Sequence, residues 1–208
     1  TKIYACLDKS PTTGETTAEW CERVGAVAMA TPEEVCEDVD AIMVLAPNHP
    51  ALHEDFCRAA FSSGKPVYVD KTFAPDYATA KRIVDYGKEN GTEFWSTSAT
   101  RFDPEILEFL NDDKPRMNTV TAMGGNVFDV YCIHLVELVN TFMKNGAKSV
   151  VCRNGAPSSV FEITYNDGRK AFINHYEKAV LNFTCLAEID GTCKKISVSD
   201  DIWKNCTR

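Results

Sequence analysis

The feature that most constrains the fold is a regular alternation of short apolar runs and amphipathic stretches over the first hundred residues. The apolar runs predict buried strands, which cover residues 3–7, 41–45, 66–69 and 93–97. The stretches between them predict helices, at residues 18–24, 32–36, 49–62 and 77–90. Because apolar strands that alternate with helices are typical of a parallel sheet covered on both faces, we expect an α/β fold of Rossmann type.

The pattern changes after residue 102. Two further helices are predicted at residues 104–110 and 127–143, and the other segments alternate in polarity as half-buried strands do, at residues 118–123, 149–153, 159–165, 170–176 and 182–189. We therefore expect two domains. Residues 1–102 form a partial dinucleotide-binding Rossmann domain that lacks its first strand, and residues 103–208 form an α+β domain with a mostly antiparallel, open sheet.

Composition excludes several classes of partner. The formal net charge of −8 disfavours nucleic acid, whose phosphates need a basic surface. No apolar run approaches the ~20 residues of a membrane span, and no signal peptide opens the sequence. The nine cysteines include no C-x-x-C pair, which indicates buried thiols in a reducing, cytoplasmic setting. His49, His53 and Cys57 share a helical stripe, but further ligands are not obvious, so we expect no metal.

Two segments carry a resemblance to a known family. The sequences AIMVLAPNHPALH (41–53) and GKPVYVDK (64–71) resemble the Gfo/Idh/MocA oxidoreductases, and the resemblance continues more weakly through residues 101–104 and 124–134. It implies an NAD(P)-binding Rossmann domain followed by an α+β domain that carries substrate and subunit contacts. It also implies hydride transfer between a nicotinamide and a hydroxyl carbon of a sugar-like or cyclitol substrate.

Lys71 is the first catalytic candidate, because it follows a strand and matches the lysine of the family's Glu-Lys-Pro motif. An ammonium group beside a reacting hydroxyl stabilises the developing alkoxide; the alternative is a solvated lysine. Asp70 replaces the family's glutamate, and both Asp70 and Lys71 are expected to face the cofactor. Thr72 replaces the proline, which makes a cis peptide bond costly by ~2.5–4 kcal/mol.

His134 and Asp129 are the other catalytic candidates. A neutral imidazole suits proton exchange at physiological pH. The family pairs an aspartate with a histidine one helical turn later, whereas here Asp129 precedes His134 by five positions and Val130 takes the one-turn place. The two converge only if Asp129 lies before the helix begins; otherwise Asp129 is expected to cap the helix. Tyr131 offers a hydroxyl to the site or packs in the core.

The carboxyl ends of the strands supply the cofactor-binding candidates. An acidic residue at the end of the first visible strand, Asp8, is placed to accept hydrogen bonds from the ribose hydroxyls, which favours NAD over NADP. The resemblance implies that Ala46, Pro47 and Asn48 line the cofactor and that His53 begins the flanking helix. The cofactor is therefore expected to be NAD or NADP, with a slight preference for NAD.

Arg101 is expected either to anchor an anionic substrate group or brace the cofactor, or to form a surface salt bridge.

The family's Gly-x-Gly-x-x-Gly phosphate loop is not in this sequence. Two interpretations follow: part of a longer, active dehydrogenase, or a truncated or degenerate relative that binds a ligand or partner without redox chemistry. We favour the first, with a polyol or sugar-like substrate. The open sheet face implies a homodimer or homotetramer by resemblance.

Overall fold

The chain folds into two compact units, Thr1–Ser96 and Thr97–Arg208. The structure, a computed structural model, describes residues 2–8, 14–46, 49–111, 117–155, 157–180, 182–189 and 191–198. The sequence pattern set the boundary between domains after residue 102, a few positions later. None of the helices in these ranges is long and apolar enough to cross a membrane.

The first unit is built on parallel strands. They are β1 (Ala5–Cys6), β2 (Val27–Ala28), β3 (Ile42–Val44), β4 (Val67–Val69) and β5 (Phe94–Trp95). A two-stranded sheet joins β1 to β2, and a three-stranded sheet has the order β3-β4-β5; every pairing is parallel. The Rossmann-type parallel sheet is thereby confirmed. Among the described residues, β1 and β3 each pair on one side only, and Met43 of β3 is 64% exposed.

Four helices connect these strands: α1 (Thr17–Val24), α2 (Pro32–Val35), α3 (His53–Ser62, after a 3-10 turn at Pro50–Leu52) and α4 (Tyr77–Glu89). Their starts follow local chemistry. Thr16 and Thr31 each form a capping box with the glutamate three residues later, and the Asp76 side chain accepts from the Thr79 N–H. The core of the unit gathers where α3 and α4 cover β4, around Phe61, Val67 and Ile83.

The second unit contains a larger, mixed sheet. Its helices are α5 (Pro104–Asn111) and α6 (Phe128–Met143), and a 3-10 turn spans Ala99–Phe102. Its strands are β6 (Thr119–Gly125), β7 (Ala147–Gly155), β8 (Ser158–Tyr165), β9 (Lys170–Tyr176), β10 (Thr184–Ile189) and β11 (Thr192–Ser197). The sheet order is β11-β10-β6-β9-β8-β7, and only the β6–β9 pairing is parallel. The mostly antiparallel α+β unit is confirmed.

Helix α6 covers one face of this sheet. Leu135 and Leu138 of α6 are fully buried with Val120 and Ala171 of the central strands in one apolar cluster. The register aligns a row of side chains on the opposite face, from β7 to β10: Val151, Glu162, Phe172, Thr121 and Leu186. Leu186 and Val151 in this row are 39% and 48% exposed. The sheet therefore has one covered face and one face with exposed apolar side chains.

The sequence pattern misses β2 and β11. The two residues of β2 are both exposed, and within β11 only Ile196 is buried. Neither segment has the apolar alternation that identifies a strand, because neither buries a row of side chains. They are strands because their backbone groups pair with those of the neighbouring strands, β2 with β1 and β11 with β10.

Gly87 provides a test of how tightly the first unit is packed. A Cβ at this position of α4 would lie 2.5 Å from Cε1 of Phe94 and 3.1 Å from Cε2 of Phe61. An alanine normally strengthens a helix, but here we expect Gly87→Ala to lower the free energy of unfolding by about 1–3 kcal/mol through overpacking. Urea denaturation measures the change. The exposed neighbour Glu89→Ala is the control, and equal stabilities of the two variants would contradict this packing.

Candidate active site

Lys71 lies just beyond the carboxyl end of β4, the central strand of the three-stranded sheet. The backbone N–H of Asp70 donates to the carbonyl of Val44 on the neighbouring strand, at 3.0 Å, so the strand pairing extends to the residue before the lysine. Lys71 is half-buried, and the peptide bond between Lys71 and Thr72 is cis. The candidate lysine therefore follows the one strand of this three-stranded sheet that is paired on both sides.

A buried histidine fastens the loop that follows Lys71. The ring of His53, at the start of α3, is fully buried, and its Nδ1 lies 3.0 Å from the carbonyl oxygen of Phe73. Because a carbonyl only accepts, Nδ1 carries the proton. Nε2 of His53 has no hydrogen-bond partner among the described residues. The visible role of His53 is therefore to fix the loop of Lys71, and its ring has no exposed surface to offer a cofactor.

Two of the other cofactor candidates lie at strand ends. Asp8 is exposed two residues after β1. Ala46 is buried two residues after β3, and its carbonyl accepts from the N–H of His49 at 3.0 Å. Asp8 follows a strand of the two-stranded sheet and Ala46 a strand of the three-stranded sheet, and ligands of α/β folds bind outside the carboxyl ends of such strands. Pro47 and Asn48 lie outside the described residues.

His134 is held at one ring nitrogen by a buried serine. Its Nδ1 lies 2.6 Å from the Oγ of Ser98, and Ser98 is 2% exposed. The rings of Tyr131 and Phe183 lie against the imidazole, with centroids 5.9 and 5.2 Å away. Tyr131 therefore packs beside His134. These contacts fix the plane of the ring.

Phe183 reaches His134 because residue 124 is a glycine. A Cβ on Gly124 would lie 2.4 Å from Cδ1 of Phe183 and 3.1 Å from Cδ2 of Leu135. Contacts below 3.0 Å require the neighbour to move, and both neighbours pack in the core of the unit. Gly124, which the sequence singled out only as part of the family resemblance, thus permits the aromatic wall of His134.

Glu137, one turn beyond His134 on α6, binds the same segment that carries Ser98. Its Oε1 accepts from the Thr97 hydroxyl at 2.8 Å and lies 2.9 Å from Nε of Arg101. Arg101 therefore forms the salt bridge that the sequence left as one alternative. It also lines an open cleft of about 450 Å³ with Asn140, Thr141, Lys144 and Asn145.

Asp129 and His134 do not share a face of α6. The helix begins at Phe128, so Asp129 is its second residue and not a residue before it. At 3.6 residues per turn, five positions separate the two side chains by about 140° around the axis. The N-cap position belongs to Val127, so Asp129 does not cap the helix either. The convergence that depended on a later helix start does not occur.

A second histidine that the sequence did not single out lies beneath the start of α6. His175 on β9 is 1% exposed, and its ring meets that of Phe128 edge-on at 5.2 Å. Burial lowers the pKa of His175, against smaller opposing contributions from Glu177 and a backbone hydrogen bond with Asn126. His175 is therefore neutral at physiological pH and supports the turn that leads into α6.

The contacts that position His134 could not be found from sequence. Ser98 lies 36 positions before His134, in a segment without periodicity, and Phe183 precedes a strand without a motif. Glu137 carried no signal beyond being a charged residue on a predicted helix. Only the packing of the second unit brings Ser98 and Phe183 to the His134 ring, and Glu137 to the segment that carries Ser98.

The His53 contact yields a stability prediction. His53→Ala removes a fully buried ring and leaves the Phe73 carbonyl without its donor, so the free energy of unfolding should fall by about 2–4 kcal/mol. His49→Ala removes the same side chain from an exposed position nearby and should change it by less than ~0.5 kcal/mol. Urea denaturation followed by circular dichroism measures both. Similar losses in the two variants would show that His53 does not fasten the loop.

Comparison with known proteins finds relatives of the first unit. Residues 1–98 match the family model described as an oxidoreductase family with an NAD-binding Rossmann fold, GFO_IDH_MocA. An uncharacterized oxidoreductase, YhhX of Escherichia coli K12, is 32% identical over 75 residues, which are 36% of this chain and 22% of that protein. An inositol 2-dehydrogenase of Agrobacterium fabrum is 40% identical over 60 residues, which are 29% of this chain and 18% of that protein. The matched stretches thus span about a fifth of these curated relatives.

Solved structures extend the likeness of fold to both units. A putative NADPH-dependent oxidoreductase from Desulfitobacterium hafniense superposes with a TM-score of 0.81 at 16% identity, over 98% of this chain and 67% of that one. The WlbA dehydrogenase of Bordetella pertussis, solved with NADH and UDP-GlcNAcA, gives 0.76 at 15% identity, over 94% and 68%. The parallel strands and the lysine after β4 are consistent with the match to the family model. Residues 1–98 of this chain therefore resemble the Gfo/Idh/MocA oxidoreductase family, whose model they match.

Proposed function

We propose that the protein is an NAD(P)-dependent oxidoreductase that transfers hydride between a nicotinamide and a hydroxyl carbon of a sugar-like or cyclitol substrate. The observation that carries the proposal is Lys71, half-buried beyond the central strand of a parallel sheet in a unit that matches an NAD-binding family. The inositol 2-dehydrogenase relative and the UDP-GlcNAcA complex of WlbA support a polyhydroxylated substrate.

The chemistry assigns a separate task to each of two groups. Oxidation of an alcohol removes a proton from the hydroxyl while hydride leaves the carbon for the nicotinamide. Lys71 would donate a hydrogen bond to the reacting oxygen and stabilise its developing negative charge. His134 stays a candidate for proton exchange within the second unit, where its Nδ1 lies 2.6 Å from the Oγ of Ser98. Asp129 stays a candidate only for substrate contact, since it is exposed and about 140° around α6 from His134.

The residues at the strand ends fit part of a dinucleotide. The exposed carboxylate of Asp8 suits the ribose hydroxyls and disfavours a 2′-phosphate, so we propose a preference for NAD over NADP. Ala46 and Asp70 would line the cofactor beside Lys71, and Pro47 and Asn48 remain candidates from sequence alone. The sequence holds no glycine-rich loop to cradle the pyrophosphate, so these residues account for the sugar and nicotinamide ends only.

A homo-oligomer is part of the proposal. The face of the second sheet opposite α6 presents a continuous row that includes Val151, Phe172 and Leu186. Two of these apolar side chains are more than a third exposed. A second copy that packs on this face would bury them, in a homodimer or a homotetramer.

One observation favours a second candidate function, a protein that binds a ligand or partner without redox chemistry. Among the described residues, β1 and β3 each leave one edge without a neighbouring strand, and Tyr4 and Met43 beside these edges are 44% and 64% exposed. Open parallel edges accept an added strand from another segment or chain. Nicotinamide binding separates the two candidates.

The proposal predicts that the native protein binds NADH. The intact mass and N-terminus of the protein from its natural source define the chain to be tested, and NADH fluorescence is then titrated against it. We expect saturable binding that NAD⁺ displaces at lower concentration than NADP⁺ does, because of Asp8. If the native chain does not bind either nucleotide, the oxidoreductase proposal is wrong and the second candidate is favoured.

Lys71→Ala tests the chemistry separately from binding. With NAD⁺ and a panel that includes myo-inositol and UDP-N-acetylglucosamine, turnover of whichever substrate reacts should fall by about 10²-fold or more, on the scale of a positioned proton-transfer group. NADH affinity should change little. Lys88→Ala, an exposed lysine near the end of α4, is the matched control. Unchanged turnover in Lys71→Ala would remove this lysine from the mechanism.

A further inference from the structure

Two cysteines are in contact where α1 packs on β1. The thiol of Cys6, in β1, is hydrogen-bonded to the thiol of Cys21, in α1, and neither forms a disulfide in this structure. Cys21 is 3% exposed, whereas Cys6 is only half-buried. One sulfur of the pair is therefore within reach of a small molecule in solution, and the buried sulfur touches it from the inside.

A second contact shows that α1 runs alongside the end of β1. The hydroxyl of Thr17, the first residue of α1, donates to the carbonyl of Asp8 at 3.4 Å. Thr17 and Cys21 are one helical turn apart and share a face of α1. Cys6 precedes Asp8 by two positions on the strand side. The two contacts are therefore in register, with the helix antiparallel to the strand, as in a β-α-β unit with parallel strands.

The backbone holds both cysteines in place. The carbonyl of Cys21 accepts from the N–H of Ala26 at 2.8 Å, and the carbonyl of Cys6 accepts from the N–H of Met29 at 2.9 Å. Between these two points, β2 pairs with β1. A continuous set of hydrogen bonds thus joins α1, β2 and β1, so the approach of the two sulfurs is built into this part of the fold.

We propose that Cys6 and Cys21 form a reversible dithiol switch, which closes to a disulfide in the presence of a low-molecular-weight disulfide such as oxidised glutathione. In the first step, the thiolate of Cys6 attacks one sulfur of the oxidant, forms a mixed disulfide and releases one thiolate. In the second step, Cys21 loses its proton, attacks Sγ of Cys6 and releases the second thiolate. Two protein thiols are oxidised, and the disulfide of the oxidant is reduced to two thiols, which take up the two protons.

The surroundings of Cys6 make this exchange slow at neutral pH. Burial, the neighbouring thiol of Cys21 and the carboxylate of Asp8 raise the pKa of Cys6 to about 11. Because only the thiolate attacks, the rate should rise by about tenfold for each pH unit below that pKa. The pair therefore follows the redox balance of its surroundings over a long exposure and is not a fast peroxide sensor.

Closure of the disulfide acts on the candidate nucleotide site through Asp8. A covalent bond brings two sulfurs closer than a hydrogen bond does, so β1 and α1 must shift against each other. Asp8 lies two residues beyond Cys6, is tied to α1 by Thr17 and shifts with them. NADH binding should then weaken by about tenfold, the equivalent of one hydrogen bond to a charged group. This consequence rests on the proposed function, in which Asp8 binds the ribose; the formation of the disulfide does not.

Peptide mass spectrometry tests the bond directly. The native protein is equilibrated with oxidised glutathione in mildly alkaline buffer, the remaining thiols are blocked with iodoacetamide, and trypsin is added without reductant. Cleavage after Lys2, Lys9 and Arg23 places Cys6 in residues 3–9 and Cys21 in residues 10–23, each with a single cysteine. We expect these two peptides as one linked species, which dithiothreitol separates. If Cys6 is recovered only alkylated or only as its mixed disulfide with glutathione, the proposal is wrong.

Two variants separate the steps, although the main test needs neither of them. In Cys21→Ala the reaction should stop at the mixed disulfide of Cys6 with glutathione, because the second thiol is absent. Cys152→Ala removes an exposed thiol of the second unit and is the matched control. It should form the linked peptides as the unsubstituted protein does, and a loss of the linkage in this control would contradict a direct reaction between Cys6 and Cys21.

NADH titration of the oxidised and the reduced protein then checks the effect on Asp8. The oxidised protein should bind NADH about tenfold more weakly and recover when dithiothreitol is added. Equal affinities in a protein with the linked peptides would show that the disulfide is not a switch. Linked peptides in a protein that does not bind NADH keep the disulfide and exclude the proposed function. NADH binding without linked peptides does the reverse.

Discussion

The docking of residues 97–102 onto α6 is the interaction on which the position of His134 in the second unit depends. A histidine on a helix surface has many orientations and two tautomers. Here the Ser98 hydroxyl engages one nitrogen, and the Arg101–Glu137 ion pair joins the same segment to the next turn of the helix. Phe183 limits the ring from the side, in space that a glycine leaves. The result is a ring with a defined plane.

The first unit positions its candidate group by a similar device. Lys71 owes its place to β4, but the loop beyond it is fastened by the buried ring of His53, through the carbonyl of Phe73. In each unit a side chain from a separate element fixes the backbone or ring that carries a candidate catalytic group. Such support keeps reactive groups in one geometry, which is what electrostatic stabilisation of a transition state requires.

The sequence predicts the elements well and the contacts between them poorly. The helix predicted at 77–90 is α4 (Tyr77–Glu89), because its apolar stripe and the Asn90-Gly91 pair at its end are local signals. β11 escapes detection because it buries only one side chain.

Lys71 and His134 were proposed as candidates from motifs. The contacts that hold these two groups in place join distant positions. His53 and Phe73, beside Lys71, are 20 residues apart, and Ser98 and His134 are 36 residues apart. Periodicity does not connect positions that far apart. The pairing of Asp129 with His134 failed because it depended on where α6 begins, and helix boundaries are the least certain part of such predictions.

The central claim is that this chain supports direct hydride transfer. It is tested most directly by incubating the native protein with NADH deuterated at the transferable position and a keto-sugar or keto-cyclitol, followed by mass spectrometry and NMR of the alcohol product. We expect deuterium on the new carbinol carbon, formed about 10²-fold more slowly when Lys71 is replaced by alanine. A native protein that binds NADH yet yields no labelled alcohol from any member of such a panel would contradict it.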